Sequence, residues 1–548
     1  MKRISLAIAM MLPATAWLSP EALACTNLIA GPKATADGSV FVTYAADSHN
    51  LYGMLTHTPA AKHAPGEMRK VIEWDTNKPL GEIPQPAETY NVVGNINEHQ
   101  VAIGESTWGG HEELVDTTGN SIIDYGSLIQ IALERSKTAR EAIKVMTDLV
   151  DKYGYVSEGE SFSIADKNEV WVLEMIGKGA EKGAVWVAVR IPDNAISGHA
   201  NEPRIRKVDF KDKENVMHSK DVIDFARRRG YFSGKDEDFS FADAYCNHDV
   251  ATRRGCDARV WSFFRRYNPE ADKYYDWCVG KSDEPMPLYV IPDRKLTVKD
   301  MQESMRDHFE GTPLEMTSDI GAGPFHVPYR WRPMEFEVDG KKYCNERAIA
   351  TQQTGWSFVS QSRADMPDPV GGVLWFGTDD TNTSVYMPIY CSVTEVPEQL
   401  GPGDVNTFDM NSNFWMNTWV ANQAYERYDR MIPDIRKVQN KLEDSYRDSR
   451  PEVEKELVAL YVAGDKDGLQ KKVNGESKAI AKEATDSYRD LAEYLLVKFM
   501  DGNQKKTDEN GNFIKSEYGL PVYPTFPGYD QKYYENIVKE TGDHFLIE

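Results

Sequence analysis

Cysteine is scarce in this chain, with six residues among 548. That excludes an array of small disulfide-built domains. Long apolar runs are absent after the first two dozen residues and mean hydropathy is −0.55, which excludes a polytopic membrane protein. Positive charge is in deficit, with 63 Lys and Arg against 86 Asp and Glu, a net charge of −23. A surface of that sign repels polyanions, so nucleic acid is not an expected partner. The excess is spread along the chain and forms no acidic tail. Several catalytic signatures are also missing. No G-x-S-x-G elbow occurs. His111-Glu112 is followed by Val115 where a zinc-binding helix needs its second histidine. The glycines match neither a phosphate loop nor a dinucleotide fingerprint. No cofactor and no catalytic metal are therefore expected. The Cys246-x-His248 pair lacks the partners that a zinc site needs.

What is present points to a large globular protein. The length allows two to four domains of about 100–200 residues. Hydrophobic residues make up 41% and aromatics 11%, enough for a sizeable core and for carbohydrate-, peptide- or aromatic-lined clefts. Residues 1–24 read as an export signal. Lys2 and Arg3 lead, Ile4 to Leu12 is apolar, Pro20 breaks the helix, and Ala22-Leu23-Ala24 is an A-x-A cleavage site. The expected location is the periplasm or outside the cell, with no integral membrane segment after processing.

Cleavage after Ala24 makes Cys25 the first residue. Three readings compete. Cys25 follows the cut by chance, or it is lipidated, or it is an N-terminal nucleophile. Lipidation favours Leu three before the cysteine and a small residue two before it, and here Ala22 and Leu23 reverse that order. As a nucleophile, Cys25 would carry its own base. An α-amine has a reference pKa near 8, so much of it is neutral at physiological pH and can take the thiol proton. If Cys25 stays free, five cysteines remain. Cys246, Cys256 and Cys278 lie close enough in sequence for one bridge among them.

Along the chain, Thr26 to Ala30 and Ser39 to Tyr44 read as strands around an Asp37-Gly38 turn. Tyr90 to Ile96 and Val101 to Glu105 read as a second hairpin. Gly126–Ser136 and Thr138–Tyr153 read as helices, the latter opened by a capping box at Thr138 and Glu141. Three strand-like runs follow up to Ile191. Grouped strands and helices imply an α+β layered fold rather than alternating units. Residues 206–350 resist assignment beyond a helix expected at Asp300 to Phe309. Strand signals return at Val373 to Phe376 and Val385 to Tyr390. Pro397 to Pro402 reads as a linker, after which helical patterns dominate, with Pro433 and Pro451 expected at helix starts.

Several motifs together resemble the start of the C69 family of dipeptidases, which are N-terminal nucleophile hydrolases related to penicillin V acylases and bile salt hydrolases. They are Cys25-Thr26-Asn27, Ala34-Thr35-Ala36-Asp37-Gly38-Ser39 and Ala46-Asp47-Ser48-His49. Asn97-Glu98 before Val101 to Glu105, Ser161 to Asp166, Asn201-Glu202-Pro203-Arg204 and Ser360-Gln361-Ser362-Arg363 are similar too. The resemblance runs from Cys25 to about Tyr390. It implies an αββα sandwich over residues 25–395, with a mainly helical region at 396–548. It implies amide hydrolysis, with dipeptides or short peptides as substrates and Cys25 as nucleophile. Asp47 resembles the aspartate that orients the nucleophile, Asn201 the oxyanion donor, and Arg363 the late arginine that holds cysteine or substrate carboxylate. Tyr44 stands where the acylase relatives have an arginine, so no arginine role carries over. Glu105 and Ser106 fall near a second oxyanion donor of relatives, but an ionised glutamate side chain cannot donate. An N-acyl amidase and a non-enzymatic lipoprotein anchored at Cys25 remain as alternatives.

Overall fold

The computed structural model describes residues 25–548, so the expected leader lies outside the described residues. Two antiparallel sheets stack face to face. The seven-stranded sheet runs Tyr289–Val290, Ile196–His199, Asn27–Ala30, Val40–Asp47, Thr354–Ser362, Val373–Thr378, Met387–Tyr390. The eight-stranded sheet is built around Glu181–Arg190, Val170–Lys178, Gly159–Ala165 and Ala102–Trp108, adjacent in that order. Helices cover both outer faces, giving an αββα sandwich.

The four layers explain why these strands carry little polar alternation. Val40–Asp47 and Thr354–Ser362 are buried along their whole length, because one face meets the other sheet and one meets helices. Period-two geometry then sorts the side chains of the eight-stranded sheet. Phe162, Ile164, Leu173 and Trp186 pack under the helices Tyr125–Arg135 and Ala139–Tyr153. Ala165, Val172, Val185 and Val187 face the opposite sheet. The second helix is capped at Thr138 as its sequence implies, but the expected box does not close on the Thr138 N–H. Thr138 Oγ1 accepts from the N–H of Glu141 at 3.2 Å, and the Glu141 carboxylate accepts from the N–H of Lys137 at 2.7 Å.

The segment expected to begin a separate helical region at residue 396 supplies the fourth layer. Asn413–Glu426, Tyr428–Val462 and Lys466–Phe499 lie on the seven-stranded sheet and share its core. Pro433 and Pro451 are not at helix starts. Both lie inside one 35-residue helix. Each proline removes a backbone donor there. The buried stripe of Ile435, Leu442, Tyr446 and Leu457 holds the helix against the sheet and keeps it continuous.

Residues 206–350 form short helices and a surface hairpin at one end of the sandwich. The helix expected at Asp300 to Phe309 is Val298–Ser304, opened by a capping box at Thr297 and Asp300. The chain leaves the helical path by Phe309, which has φ 63°. The helix Asp257–Tyr267 matters most, because it carries an arginine into the nucleophile's surroundings. All six cysteines are free thiols, so no bridge joins Cys246, Cys256 and Cys278. His248 bonds the Glu202 carboxylate instead.

Candidate active site

Backbone pairing places Cys25. Thr26 and Ala45 exchange both backbone hydrogen bonds, at 3.3 and 3.0 Å, which sets Cys25 beside the end of the strand Val40–Asp47. Cys25 is 4% exposed. Its Sγ lies 3.7 Å from Tyr44 Oη and 3.5 Å from Glu105 Oε1, and the Tyr44 hydroxyl donates to that same glutamate oxygen. The backbone N–H of Asp47 also faces the sulfur. Burial pushes the Cys25 thiol well above its ordinary pKa, and the charges of Glu105 and Asp47 push it further. Among the described residues, no histidine hydrogen-bonds the sulfur. The buried His199 is occupied elsewhere, between Ser106 Oγ at 2.6 Å and Ser163 Oγ at 2.7 Å. Burial, with the Arg204 and Arg259 charges, lowers its pKa to about 3, so it stays neutral.

Asp47 is buried behind the nucleophile. It accepts from the Arg347 guanidinium, and from Thr354 Oγ1 at 2.6 Å. Asn201 is brought to the same neighbourhood in the left-handed region, with φ 57°, which asparagine tolerates. Arg259 joins the two. One terminal nitrogen donates to the carbonyl of Cys25 at 2.7 Å and to Thr26 Oγ1 at 2.8 Å. The other donates to the Ala200 carbonyl at 3.2 Å and to Asn201 Oδ1 at 2.9 Å. Burial and the nearby Arg347 lower the Arg259 pKa to about 10, so the guanidinium stays charged at neutral pH.

Arg363 is not in this group. It follows the strand Thr354–Ser362 at the end remote from Asp47, about seven residues past Trp356. At about 3.3 Å per residue, that is roughly 20 Å away. Its guanidinium forms a two-pronged pair with Glu454 at 2.8 and 2.7 Å and caps the carbonyls of Val370 and Gly371. Arg363 ties the long helix to the sheet, and the arginine beside the nucleophile is Arg259. Nothing in the sequence around Arg259 marks it among Arg253, Arg254, Arg265 and Arg266. Glu105 did leave a signal, as a lone charge inside the apolar strand Ala102–Trp108, which is buried almost throughout.

Glu105 belongs to an acidic cluster. Glu105 Oε2 and Glu160 Oε1 are buried without a hydrogen-bond partner, and the two carboxyls interact closely enough to titrate together. Burial raises both pKa values. The Glu105 charge raises Glu160 further. Asp75 adds a third carboxylate, which accepts from the Tyr125 hydroxyl at 2.9 Å. No Lys, Arg or His among the described residues makes an ion pair with any of the three.

The strand Ala102–Trp108 has an open edge next to the nucleophile, since its outer neighbour pairs only at Ala102. Three side-chain amides cap its outward carbonyls. Asn95 takes that of Ile103 at 2.8 Å, Asn27 that of Glu105, and Asn201 that of Thr107 at 2.6 Å. By antiparallel alternation, the N–H groups of Glu105 and Thr107 point to the same edge.

Two cavities flank this centre. One is lined by Tyr44, Tyr52, Trp74, Tyr125, Trp356 and Phe376 among others. The Trp356 ring meets Tyr44 edge-on at 4.9 Å. The other includes Glu346 and three arginines that already have partners, Arg330 with Asp319, Arg332 with Gln353 Oε1 at 2.7 Å, and Arg347 with Asp47. No grouping of three or more His, Cys, Asp or Glu suited to a metal ion occurs among the described residues.

Comparison with known proteins bears on this arrangement. Residues 24–441 match peptidase family C69. The chain belongs to that family. It is thus a peptidase. A probable dipeptidase of Salmonella dublin is 26% identical over 397 residues, covering 68% of this chain and 81% of the relative. Dipeptidase A of Lactobacillus helveticus is 24% identical over 447 residues, covering 77% and 84%. Among solved structures, penicillin V acylase from Agrobacterium tumefaciens matches at 12% identity and a TM-score of 0.29, over 71% of this chain and 88% of the acylase.

Proposed function

We propose that the protein is an exported cysteine dipeptidase in which Cys25, freed by cleavage after Ala24, is the nucleophile and its α-amine the general base. The observation that carries this reading is the surroundings of Cys25. A buried thiol is held through its own carbonyl by Arg259, with no histidine hydrogen-bonded to the sulfur. A freed α-amine on the same residue is within reach as the base, and Glu105 Oε1 at 3.5 Å is the other acceptor beside the thiol. In the proposed cycle the amine takes the thiol proton and the sulfur bonds to the scissile carbonyl carbon. The tetrahedral intermediate then collapses, the C–N bond breaks, and the proton goes to the leaving amine. Water resolves the thioester. Asn201 and the N–H groups on the open edge at Glu105 and Thr107 are the candidate donors to the oxyanion.

Charge distribution supports a dipeptide. The Glu105, Glu160 and Asp75 carboxyls crowd one side of the nucleophile, suited to an ammonium group. The relatives named dipeptidase agree with this. The large apolar cavity also favours an N-acyl substrate, so the test must include one. Mature protein beginning at Cys25 is assayed on free dipeptides and on N-acyl amino acids, beside Cys25→Ala and a form with uncleavable residues ahead of Cys25. The expected result is dipeptide hydrolysis by the mature form alone. Full activity with Cys25 blocked by preceding residues would sink the mechanism. Hydrolysis of N-acyl substrates only would replace the substrate.

A further inference from the structure

The aromatic cavity has an inner end defined by chemistry. Tyr44 lines it, and the Tyr44 hydroxyl is 3.7 Å from the Cys25 sulfur. Tyr44 thus stands between the cavity and the sulfur, and the cavity begins within one side chain of the reacting centre. Several of its polar groups are already engaged. The hydroxyls of Tyr44, Tyr52 and Tyr125 bond to Glu105, Ser412 and Asp75. The amide nitrogens of Asn95 and Gln130 bond to the Ile103 carbonyl and to Thr58 Oγ1. What faces the space is ring and aliphatic surface from both sheets and from the helix Tyr125–Arg135, which contributes Tyr125, Gly126 and Ile129 from one face.

Charge fixes which half of a dipeptide lies there. The carboxyl cluster stands behind Tyr44 and Tyr125, on the cavity's side of the nucleophile. Arg347 is already paired with Asp47 and Arg330 with Asp319, so the carboxyl cluster alone sets the direction. A dipeptide at Cys25 then points its ammonium toward Glu105. We propose that the aromatic cavity is the subsite for the side chain of the dipeptide's N-terminal residue, and that it selects large apolar and aromatic side chains there. This rests on the dipeptidase reading and adds the substrate class to it.

The experiment compares kcat/KM of the mature enzyme on Ala-Ala, Phe-Ala and Ala-Phe, then repeats it with the cavity filled. A hydrophobic pocket discriminates by about 10–200-fold for small differences in apolar bulk. Phe-Ala should exceed Ala-Ala by about 100-fold, whereas Ala-Phe should stay within about threefold of Ala-Ala. Met54→Trp fills the cavity from a segment without regular structure. It should lower kcat/KM for Phe-Ala at least about 30-fold and leave Ala-Ala within about threefold. Thr56→Phe is the second variant, so that misfolding of one leaves the other to decide. Equal rates on Phe-Ala and Ala-Ala, a preference for Ala-Phe, or an equal loss on both substrates in the filled variants overturns the assignment while leaving the dipeptidase reading intact. No hydrolysis of any dipeptide by the wild-type mature protein overturns both.

Discussion

Arg259 is the residue through which the reasoning about the site can be tested most sharply. Its two terminal nitrogens span four acceptors, the carbonyls of Cys25 and Ala200 and the side chains of Thr26 and Asn201. Arg259→Lys keeps the charge but offers one nitrogen in place of a fork, so it cannot reach both the Cys25 and the Asn201 sides at once. At least two charge-assisted hydrogen bonds are then lost, each worth about 1.5–3 kcal/mol. The total, about 3–6 kcal/mol, overlaps the usual cost of removing one partner of a buried ion pair, about 3–5 kcal/mol. The kinetic consequence follows from position. With its carbonyl released, Cys25 can shift, and a 1 Å misplacement of a reacting group costs about 10²-fold in rate. Arg259→Lys should therefore lower kcat about 100-fold with KM nearly unchanged, and lower the denaturant midpoint as well. Arg259→Gln should be only slightly worse, because geometry rather than charge is what is lost. The assay is steady-state dipeptide hydrolysis by mature enzyme, with denaturant unfolding on the same samples. A lysine variant with kcat within threefold of wild type and an unchanged midpoint would refute the clamp.

Other substitutions probe the remaining roles. Asn201→Gly keeps the left-handed backbone but removes the amide, and should lower kcat about 10²–10³-fold with little change in KM. Normal turnover would leave Asn201 only as a cap on the strand edge. Arg363→Ala leaves Glu454 with Arg450 alone and should cost about 1.5–3 kcal/mol of stability with an unchanged KM. A raised KM in a normally stable protein would return this arginine to the cleft. Glu105→Gln removes a negative charge beside the sulfur, so the pH profile of Cys25 alkylation should move to lower pH, read on the N-terminal peptide by mass. A profile that stays in place would show that the charge does not reach the thiol. His199 has a folded pKa of about 3, below its unfolded value near 6.5, so the unfolded chain binds more protons between those limits. Stability from this residue is complete above pH about 6.5 and is lost as pH falls, by up to about 1.4 kcal/mol per unit. His199→Gln should show a shallower acid limb in unfolding free energy against pH, and an identical limb would exclude the histidine as its source.

The layered fold was legible because it rests on local signals. The Asp37-Gly38 turn, the cap at Thr138 and the apolar strands through Ile191 each declare themselves within a few residues. The neighbourhood of the nucleophile was legible at Cys25 and Asp47, which lie on adjacent paired strands, and at Asn201, through the Asn-Glu-Pro-Arg motif. Arg259 and Arg347 reach it from a segment of short helices and loops without periodicity, and what places them is long-range packing. Arg363 misled because a conserved-looking residue type near a strand end says nothing about which end of the sandwich it occupies. The prolines misled because tertiary burial on the sheet outweighs a local helix-breaking preference.

The asparagine caps on Ala102–Trp108 have a consequence for the margin of their sheet. A bare strand edge is a template that recruits strands from other molecules. Here the carbonyls of Ile103, Glu105 and Thr107 are already taken by Asn95, Asn27 and Asn201. Half of the template's pairing groups are spent inside the molecule, and the edge is left with donors alone. The buried margin beside the nucleophile thus has its acceptors satisfied without a partner strand.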